Sequence, residues 1–335
     1  MKESLRAFMN GLIDYAGLFP PAKLPLDEAI DDYVMHLKGE NSWMLGRFII
    51  PVTKLNELDR FVPLFDEIGT LGLAVLGSGG DSNDEYLSKI SKDMAKISDY
   101  RNKHSGKVRI EVYECKLPSN SPSKEIMKKA TDLLNENKLS HYHEFPELPD
   151  VGINYSTDED ESSWDEEILP VVSMIAELEG AGIKLRCGGI VKDAFPSVEQ
   201  MAAMIQTCAL IDIPMKCTAG LHHPIRHFAE EYDTYMHGFI NIFGAGVFTS
   251  NFPNPDNSQE RFRMFILLSH LIGNQAADNF YFGNEGMIWK VGDDRDSIFE
   301  FDNDSIKNCR GKNMISYGSC SFQEPIDDLK QLGWM

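Results

Sequence analysis

Apolar residues recur along the chain in short runs, and each run is followed by a longer segment with helical periodicity. The runs that predict strands lie at 45–51, 71–76, 108–114, 140–145 and 313–318, and within the segments 183–189 and 214–224. The segments that predict helices lie at 27–37, 54–65, 84–104, 124–137, 164–180, 197–211, 233–248, 259–277 and 325–332. Strands that alternate with helices of this length are typical of a parallel sheet with both faces covered.

The number of strand–helix units favours a closed barrel. Seven or eight units in about 290 residues fit an α/β fold of the (β/α)8 TIM-barrel type better than an open sheet. We expect one domain over 1–335, with 1–42 as an N-terminal extension whose loop and helix pack on the barrel. No GxGxxG motif follows the first predicted strand, which argues against a dinucleotide site. The glycine-rich stretch 77–80 predicts a flexible loop.

Composition narrows the class of protein. The chain has 335 residues, of which 42% are hydrophobic, and a formal net charge of −20. Such a charge argues against nucleic acid and anionic membranes as partners. Part of the acid forms a run at 158–161 and 165–167, which predicts a solvated loop leading into a helix.

The lack of a recognisable targeting segment and the spacing of the cysteines indicate the cellular compartment. No apolar run reaches the length of about eighteen residues that a membrane span needs, and the N-terminus lacks the apolar core of a signal peptide. The six cysteines form no CxxC pair and match neither a disulfide framework nor a zinc finger. We therefore expect a cytoplasmic protein. The sequence leaves open whether it forms a homo-oligomer.

Two segments about thirty residues apart carry the densest chemistry. Each is a short apolar run in which a lysine lies a few residues before a glycine, and a predicted helix separates the two segments. Residues i and i+2 of a strand share a face, so Lys184 and Arg186 point the same way, as do Lys216 and Thr218. The βαβ pattern places both strands side by side, with the lysines near their carboxyl ends, where α/β proteins gather their active sites.

Lys216 is the sharpest catalytic candidate. Burial inside a barrel lowers the pKa of a lysine, and a second cation nearby, which Lys184 would supply, lowers it further. A neutral amine attacks a carbonyl and forms a Schiff base. In the alternative interpretation, either lysine pairs with Glu114 or Glu144 and only holds the barrel interior together.

Glycine and hydroxyl residues near the lysines are candidates for substrate binding. Arg186 with Gly188 and Gly189 predicts an anion pocket, because guanidinium binds carboxylate or phosphate bidentately. Ser319 follows the last strand and could help to receive a phosphate, although a serine cap on the closing helix explains it somewhat better. Asp14, in the apolar N-terminal peptide, completes this set of substrate-binding candidates.

Carboxylates and histidines supply the acid–base candidates. Glu114 and Glu144 lie near the carboxyl ends of predicted strands, and the alternation of the first strand indicates an inward Glu114. His222 or His223 would act as general acid or base, although a loop-capping role is the default for either one alone. No cofactor is expected under this interpretation. In the alternative, all four residues ligate a divalent metal ion.

The whole chain resembles a family of bacterial proteins to which no activity is assigned. The resemblance is carried by four peptides, which are IDYAGLFPPA at 13–22, KLRCGG at 184–189, KCTAGLHHP at 216–224 and GSCSFQEP at 318–325. It implies no mechanism.

A second, local resemblance is to class I aldolases of the deoxyribose-phosphate aldolase type. Their Schiff-base lysine opens a strand-end peptide of the form Lys-Thr-Ser-Thr-Gly, to which KCTAG at 216–220 is similar. The resemblance implies that Lys216 is the nucleophile. The His-His-Pro that follows here is absent from those aldolases.

These observations lead to an enzyme that acts on a small anionic carbonyl or sugar-like compound. The leading hypothesis is an aldolase-like carbon–carbon lyase that uses Lys216. The alternatives are a metal-dependent isomerase or hydrolase that uses Glu114, Glu144, His222 and His223, and a non-catalytic barrel that binds an anion. The last would be marked by a collapsed mouth with both lysines in salt bridges.

Overall fold

The computed structural model describes residues 1–151, 163–252, 255–291 and 298–335. Eight parallel strands close into a barrel, with the spatial order 13–15, 314–319, 215–218, 181–186, 140–144, 108–116, 71–76 and 45–51, and helices surround it. The predicted (β/α)8 TIM-type barrel is therefore confirmed. None of the helices in the described ranges is long and apolar enough to cross a bilayer.

Strands of the barrel alternate with helices along most of the chain, and five further strands of the described residues form two smaller sheets. The strands are β1 Ile13–Tyr15, β2 Leu45–Pro51, β3 Leu71–Leu76, β4 Val108–Lys116, β5 Ser140–Glu144, β6 Ala181–Arg186, β7 Met215–Thr218, β8 His227–Ala229, β9 Thr234–Met236, β10 Phe280–Phe282, β11 Gly286–Lys290, β12 Ile298–Asp302 and β13 Met314–Ser319. The α-helices are α1 Glu3–Met9, α2 Leu26–Lys38, α3 Asn83–Lys103, α4 Lys124–Glu136, α5 Ser163–Glu167, α6 Leu169–Ala176, α7 Val198–Ile211, α8 Phe239–Asn251, α9 Ser258–Gly273, α10 Asn303–Lys312 and α11 Gln323–Gln331.

Alternation along the strands separates two buried layers. A small apolar cluster fills part of the barrel interior and consists of Ala16, Ile49, Ala74, Val112 and Tyr142. The much larger core lies between strands and helices. Because side chains alternate across a strand, Val112 and Glu114 share the inner face of β4. Charged inward residues of β4 to β7 thus stand above the apolar filling.

The register of the parallel strands aligns these charged residues. Glu144 of β5 is the neighbour of Lys184 in β6, and Lys184 is the neighbour of Lys216 in β7. The two lysines therefore lie on the same face of adjacent strands, as the i, i+2 phase predicted. Helix α7 connects those strands and begins with a capping box formed by Ser197 and Gln200.

The N-terminal segment differs from the prediction of an extension. Residues 13–15 form β1, which pairs with β13 on one side and β2 on the other and so closes the barrel. A three-residue strand is too short to show a period of two, which is why no strand is predicted at 13–15. The helix predicted at 27–37 is present as α2 and follows β1 as a barrel helix.

Other predicted elements need correction as well. The segment predicted as a helix over 233–248 begins with β9, which forms a two-stranded sheet with β8, and the helix starts only at Phe239. The helix predicted over 164–180 is divided into α5 and α6. A three-stranded antiparallel sheet of β10, β11 and β12 was not predicted. The acidic run 158–161 lies outside the described residues.

Arg310 connects the carboxyl end of α1 to the start of the last barrel strand, β13. The side chain is buried, and its guanidinium donates hydrogen bonds to four backbone carbonyls, those of Phe8, Asn10, Met314 and Ile315. Burial lowers the pKa of Arg310 to about 10. A guanidinium group carries five N–H donors in one plane, so Arg310 can bond several backbone carbonyls at once.

We expect Arg310→Met to destabilise the protein by about 3 kcal/mol, because several buried carbonyls lose their donor at once. The free energy of unfolding from urea titration measures this. Arg263→Met, on the exposed face of α9, is the matched control and should change stability by less than about 0.5 kcal/mol. Equal effects of both substitutions would contradict the role given to Arg310.

Candidate active site

Six charged side chains inside the barrel form an alternating series, which we call the charge ladder. In spatial order its members are Asp14, Lys216, Glu114, Lys184, Glu144 and Arg186. Each ammonium group contacts two carboxylates. Acid and base types alternate along the whole series, which is the arrangement that keeps buried charges compensated.

The distances within the charge ladder are those of direct ion pairs. Lys216 Nζ lies 2.6 Å from Asp14 Oδ2 and 2.6 Å from Glu114 Oε1. Lys184 Nζ lies 3.0 Å from Glu114 Oε2 and 3.3 Å from Glu144 Oε2. Arg186 Nε donates to Glu144 Oε1 at 2.9 Å.

One end of the charge ladder is closed. Asp14 is fully buried and Lys216 is 1% exposed. Asp14 accepts further hydrogen bonds from the Ser316 hydroxyl at 2.7 Å and the Arg47 backbone N–H at 2.6 Å. Gly46 gives the carboxylate its space, since a Cβ there would lie 2.2 Å from Asp14 Oδ1. This end is fixed by contacts on every side.

The other end opens to solvent. Glu114, Glu144 and Lys184 are buried but border a cavity of about 500 Å³ at the carboxyl ends of the strands, while half of the Arg186 side chain is exposed. Lys216 is not among the residues that line this cavity. Of the two lysines of the charge ladder, Lys184 is therefore the one that a ligand in the cavity can reach.

The pKa values follow from this alternation. Burial opposes each charge, but the ion pairs outweigh it: Lys216 and Lys184 lower the pKa of Glu114 to about 2, and the carboxylates raise the pKa of both lysines. Lys184 and Arg186 likewise lower the pKa of Glu144 against its burial. The prediction that burial and Lys184 together give Lys216 a lowered pKa is therefore wrong, because the carboxylates between and beside the lysines outweigh both effects.

The two histidines stand apart from the charge ladder and face the closing helix. His222 Nδ1 lies 3.0 Å from Glu324 Oε2, and His223 Nδ1 lies 2.5 Å from Asp328 Oδ2. Burial opposes protonation of His222, but Cys320 and the Glu324 carboxylate raise its pKa to about 10. His222 lines the cavity and contributes a positive charge to its rim.

The alternative metal set is not brought together. Glu114 and Glu144 bind the lysines, whereas His222 and His223 bind acids of α11. Within the described ranges, no three His, Cys, Asp or Glu residues are arranged to hold a metal ion. The carboxylates are occupied by ammonium groups, so the donor set does not fit a cation.

The predicted anion pocket is present in part. Arg186 and Gly189 line the cavity. Gly188 serves packing instead, because a Cβ there would lie 2.6 Å from the Phe195 ring and 2.9 Å from Gly220 Cα.

Ser319 is buried and takes part in a serine turn. Its hydroxyl donates to the Ser321 carbonyl at 2.7 Å, and the Ser321 hydroxyl accepts from the Glu324 N–H at 3.2 Å. This turn matches the capping alternative rather than a phosphate site.

The structure adds an apolar wall that the sequence did not predict as part of the site. It consists of Ala16, Phe19, Pro20, Pro21, Ile49 and Leu76, which follow or belong to β1, β2 and β3. The only sequence signal was the apolar character of the peptide at 14–22, which was interpreted as packing on one barrel end. That packing occurs at the mouth of the cavity.

Comparison with known proteins adds no assignment to this geometry. No family model matches the chain, and no curated protein matches it. The two resemblances noted from the peptides stay predictions.

Lys216→Met should destabilise the protein by about 3–5 kcal/mol, because it leaves Asp14 and Glu114 as buried carboxylates without their cation. Urea denaturation measures the change. The exposed pair between Lys124 and Glu177, with N and O 2.6 Å apart, gives the control. Lys124→Met should cost less than about 1 kcal/mol. A cost for Lys216→Met as small as that of the control would contradict the charge ladder.

The raised pKa of His222 predicts an alkaline loss of stability. A group whose pKa is higher in the folded state contributes fully below its ordinary pKa of 6.5, and this contribution disappears as the pH rises through the folded value of about 10. Between those values one extra bound proton in the folded state lowers stability by about 1.4 kcal/mol per pH unit. His222→Asn should remove this slope in denaturation curves from pH 7 to 9. Parallel slopes in both proteins would contradict the pairing with Glu324.

Proposed function

We propose that the protein is an aldolase-like carbon–carbon lyase that binds a small anionic carbonyl compound in the barrel mouth and forms an imine with a lysine of the charge ladder. The observation that carries this is the open end of the ladder, where Lys184 lies between two carboxylates at the edge of the cavity. A lysine flanked by proton carriers in a water-poor site is what imine chemistry requires.

The geometry favours Lys184 over Lys216 as the nucleophile. Lys184 borders the cavity, whereas Lys216 is 1% exposed and paired with Asp14 and Glu114. Lys216 then acts as a positioning residue that fixes the Glu114 carboxylate. This changes the residue named by the aldolase resemblance and leaves the type of reaction as proposed.

Substrate binding supplies a way to free the Lys184 amine. Arg186 shares Glu144 with Lys184 and is half exposed, so a substrate anion can compete for its guanidinium. Once Arg186 turns toward that anion, Glu144 loses one of its two cations and its pKa rises. Glu144 then accepts the proton of Lys184, and the neutral amine is generated only when substrate is present.

The chemical steps balance without a further reactant. The amine nitrogen attacks the carbonyl carbon. The oxygen takes one proton from that nitrogen and a second from the protonated Glu144, and it leaves as water to give an iminium ion. A carboxylate removes the proton of a hydroxyl on the β carbon, and the electrons of the breaking carbon–carbon bond move to the iminium nitrogen. Protonation of the enamine and hydrolysis restore the lysine.

One observation favours a second candidate. Both lysines have raised pKa values, so Lys184 could stay an ammonium group that polarises the carbonyl while Glu144 moves a proton on the neighbouring carbon. This would be an isomerase without an imine. The non-catalytic alternative requires a collapsed mouth with both lysines in salt bridges; the salt bridges are present, but the mouth is open.

We also place the protein in the cytoplasm. All six cysteines are buried and free, which supports a reducing compartment.

Borohydride trapping tests the function. Incubation with a pool of small 2-oxo acids and other anionic carbonyl compounds, followed by reduction and peptide mass spectrometry, should give an adduct on Lys184. Lys184→Arg keeps the charge but cannot form the imine, so the adduct should disappear. Lys116→Arg, an exposed lysine on the same cavity, is the matched control and should leave trapping unchanged.

The other outcomes are distinct. An adduct on Lys216 would restore the nucleophile that the sequence indicated. Turnover of a carbonyl compound without any adduct would favour the isomerase. Labelling spread over exposed lysines, with Lys184 and Lys216 unmodified, would contradict imine chemistry at this site.

A further inference from the structure

The cavity has two chemically different halves. Charged residues of the ladder occupy the side formed by β4, β5 and β6, and the apolar wall occupies the side formed by β1, β2 and β3. These groups of strands are consecutive around the closed barrel. A ligand that fills the cavity of about 500 Å³ therefore meets charge on one side and hydrocarbon on the other.

On the apolar side of this cavity, the wall offers no polar side chain to the hydroxyl groups of a ligand. Among the described residues that line the cavity, the neutral hydroxyl side chains are Thr218 and Tyr232, and no Asn, Gln, Ser or Asp contributes. A buried hydroxyl without a hydrogen bond costs about 1–3 kcal/mol. Because a sugar-like compound carries hydroxyls along its whole length, those that lie against the apolar wall would be left without a side-chain partner.

The anion-binding groups suit a carboxylate better than a phosphate. Arg186 offers a planar guanidinium at the charged side, which binds either anion, so the neighbouring groups decide between them. The hydroxyls of Ser319 and Ser321, which could have formed a phosphate loop, are used in the turn before α11. The Glu324 carboxylate in the first turn of that helix would repel a dianion.

Two apolar side chains stand open above the cavity. Ile190 and Val191, in the loop after β6, are 58% and 59% exposed and also line the cavity. Large exposed aliphatic residues beside a cavity are favoured when a ligand covers them. They would extend the apolar wall over the top of a bound molecule.

We propose that the substrate is a monocarboxylate with an apolar chain, held by Arg186 at its carboxylate and by the wall and the Ile190–Val191 loop along its chain, and not a sugar or sugar phosphate. The carbonyl and the β-hydroxyl of this substrate rest on the proposed function. Its amphipathic character rests on the cavity alone.

Simple alkanoates test this inference without relying on imine chemistry, because they have no carbonyl. Calorimetric titration with butanoate, hexanoate and octanoate should show affinity rising about fourfold per methylene group, equivalent to about 0.8 kcal/mol for each, until the cavity is full. Gluconate, which has the same number of carbons as hexanoate, should bind at least about tenfold more weakly than hexanoate.

Substitutions test which residues bind the apolar chain of the ligand and which bind its carboxylate. The double substitution Ile190→Ser with Val191→Ser should weaken octanoate more than butanoate, and both residues are exposed enough for the fold to tolerate it. Ile298→Ser, an exposed isoleucine of β12 that does not line the cavity, is the matched control and should change neither. Arg186→Met should weaken all the alkanoates by the same factor.

The inference is overturned if affinity is independent of chain length, if gluconate binds as tightly as hexanoate, or if no alkanoate binds. Each of these results leaves imine trapping with other carbonyl compounds as a separate question. Conversely, chain-length dependence without trapping supports the inference and counts against the proposed function.

Discussion

Compensation of buried charge is the constraint on which the site depends. The charge ladder places three carboxylates and three cations in a barrel interior whose remaining filling is apolar. Taking such groups out of water costs several kcal/mol each, and only close alternation repays it. The constraint reaches beyond the ladder itself, since Ser316 and the Arg47 backbone complete the coordination of Asp14, and Gly46 leaves the space it needs.

The same constraint divides the site into a rigid part and an adaptable part. At the closed end, Lys216 and Asp14 are buried, and each is held by two or more contacts. At the open end, Arg186 is half exposed and can exchange Glu144 for another anion. Under the proposed function, a ligand would act on the last pair of the ladder and would affect Lys184 through the Glu144 carboxylate that Lys184 shares with Arg186.

The sequence predicted the features that depend on local pattern. Alternation in β4 indicated an inward Glu114, and the spacing of Lys184, Arg186 and Lys216 predicted their common face on adjacent strands, which the register confirms. It could not predict that barrel closure brings Asp14 within 2.6 Å of Lys216, a residue 202 positions away, because β1 has only three residues. The sign of the lysine pKa shift depended on that contact and on Glu114, so it was predicted wrongly.

The carboxylates that raise the pKa of a lysine have opposite effects on the neutral amine and on the iminium ion that forms from it. A raised pKa disfavours the neutral amine, and so the resting lysine needs a substrate-driven proton transfer of the kind that Arg186 and Glu144 offer. The iminium ion, however, carries one positive charge at the same nitrogen as the ammonium ion it replaces. Glu114 and Glu144, which keep Lys184 protonated, would therefore stabilise the iminium ion through the same ion pairs. For a lysine in this position, buried carboxylates oppose the attack on the carbonyl but favour the covalent intermediate that follows.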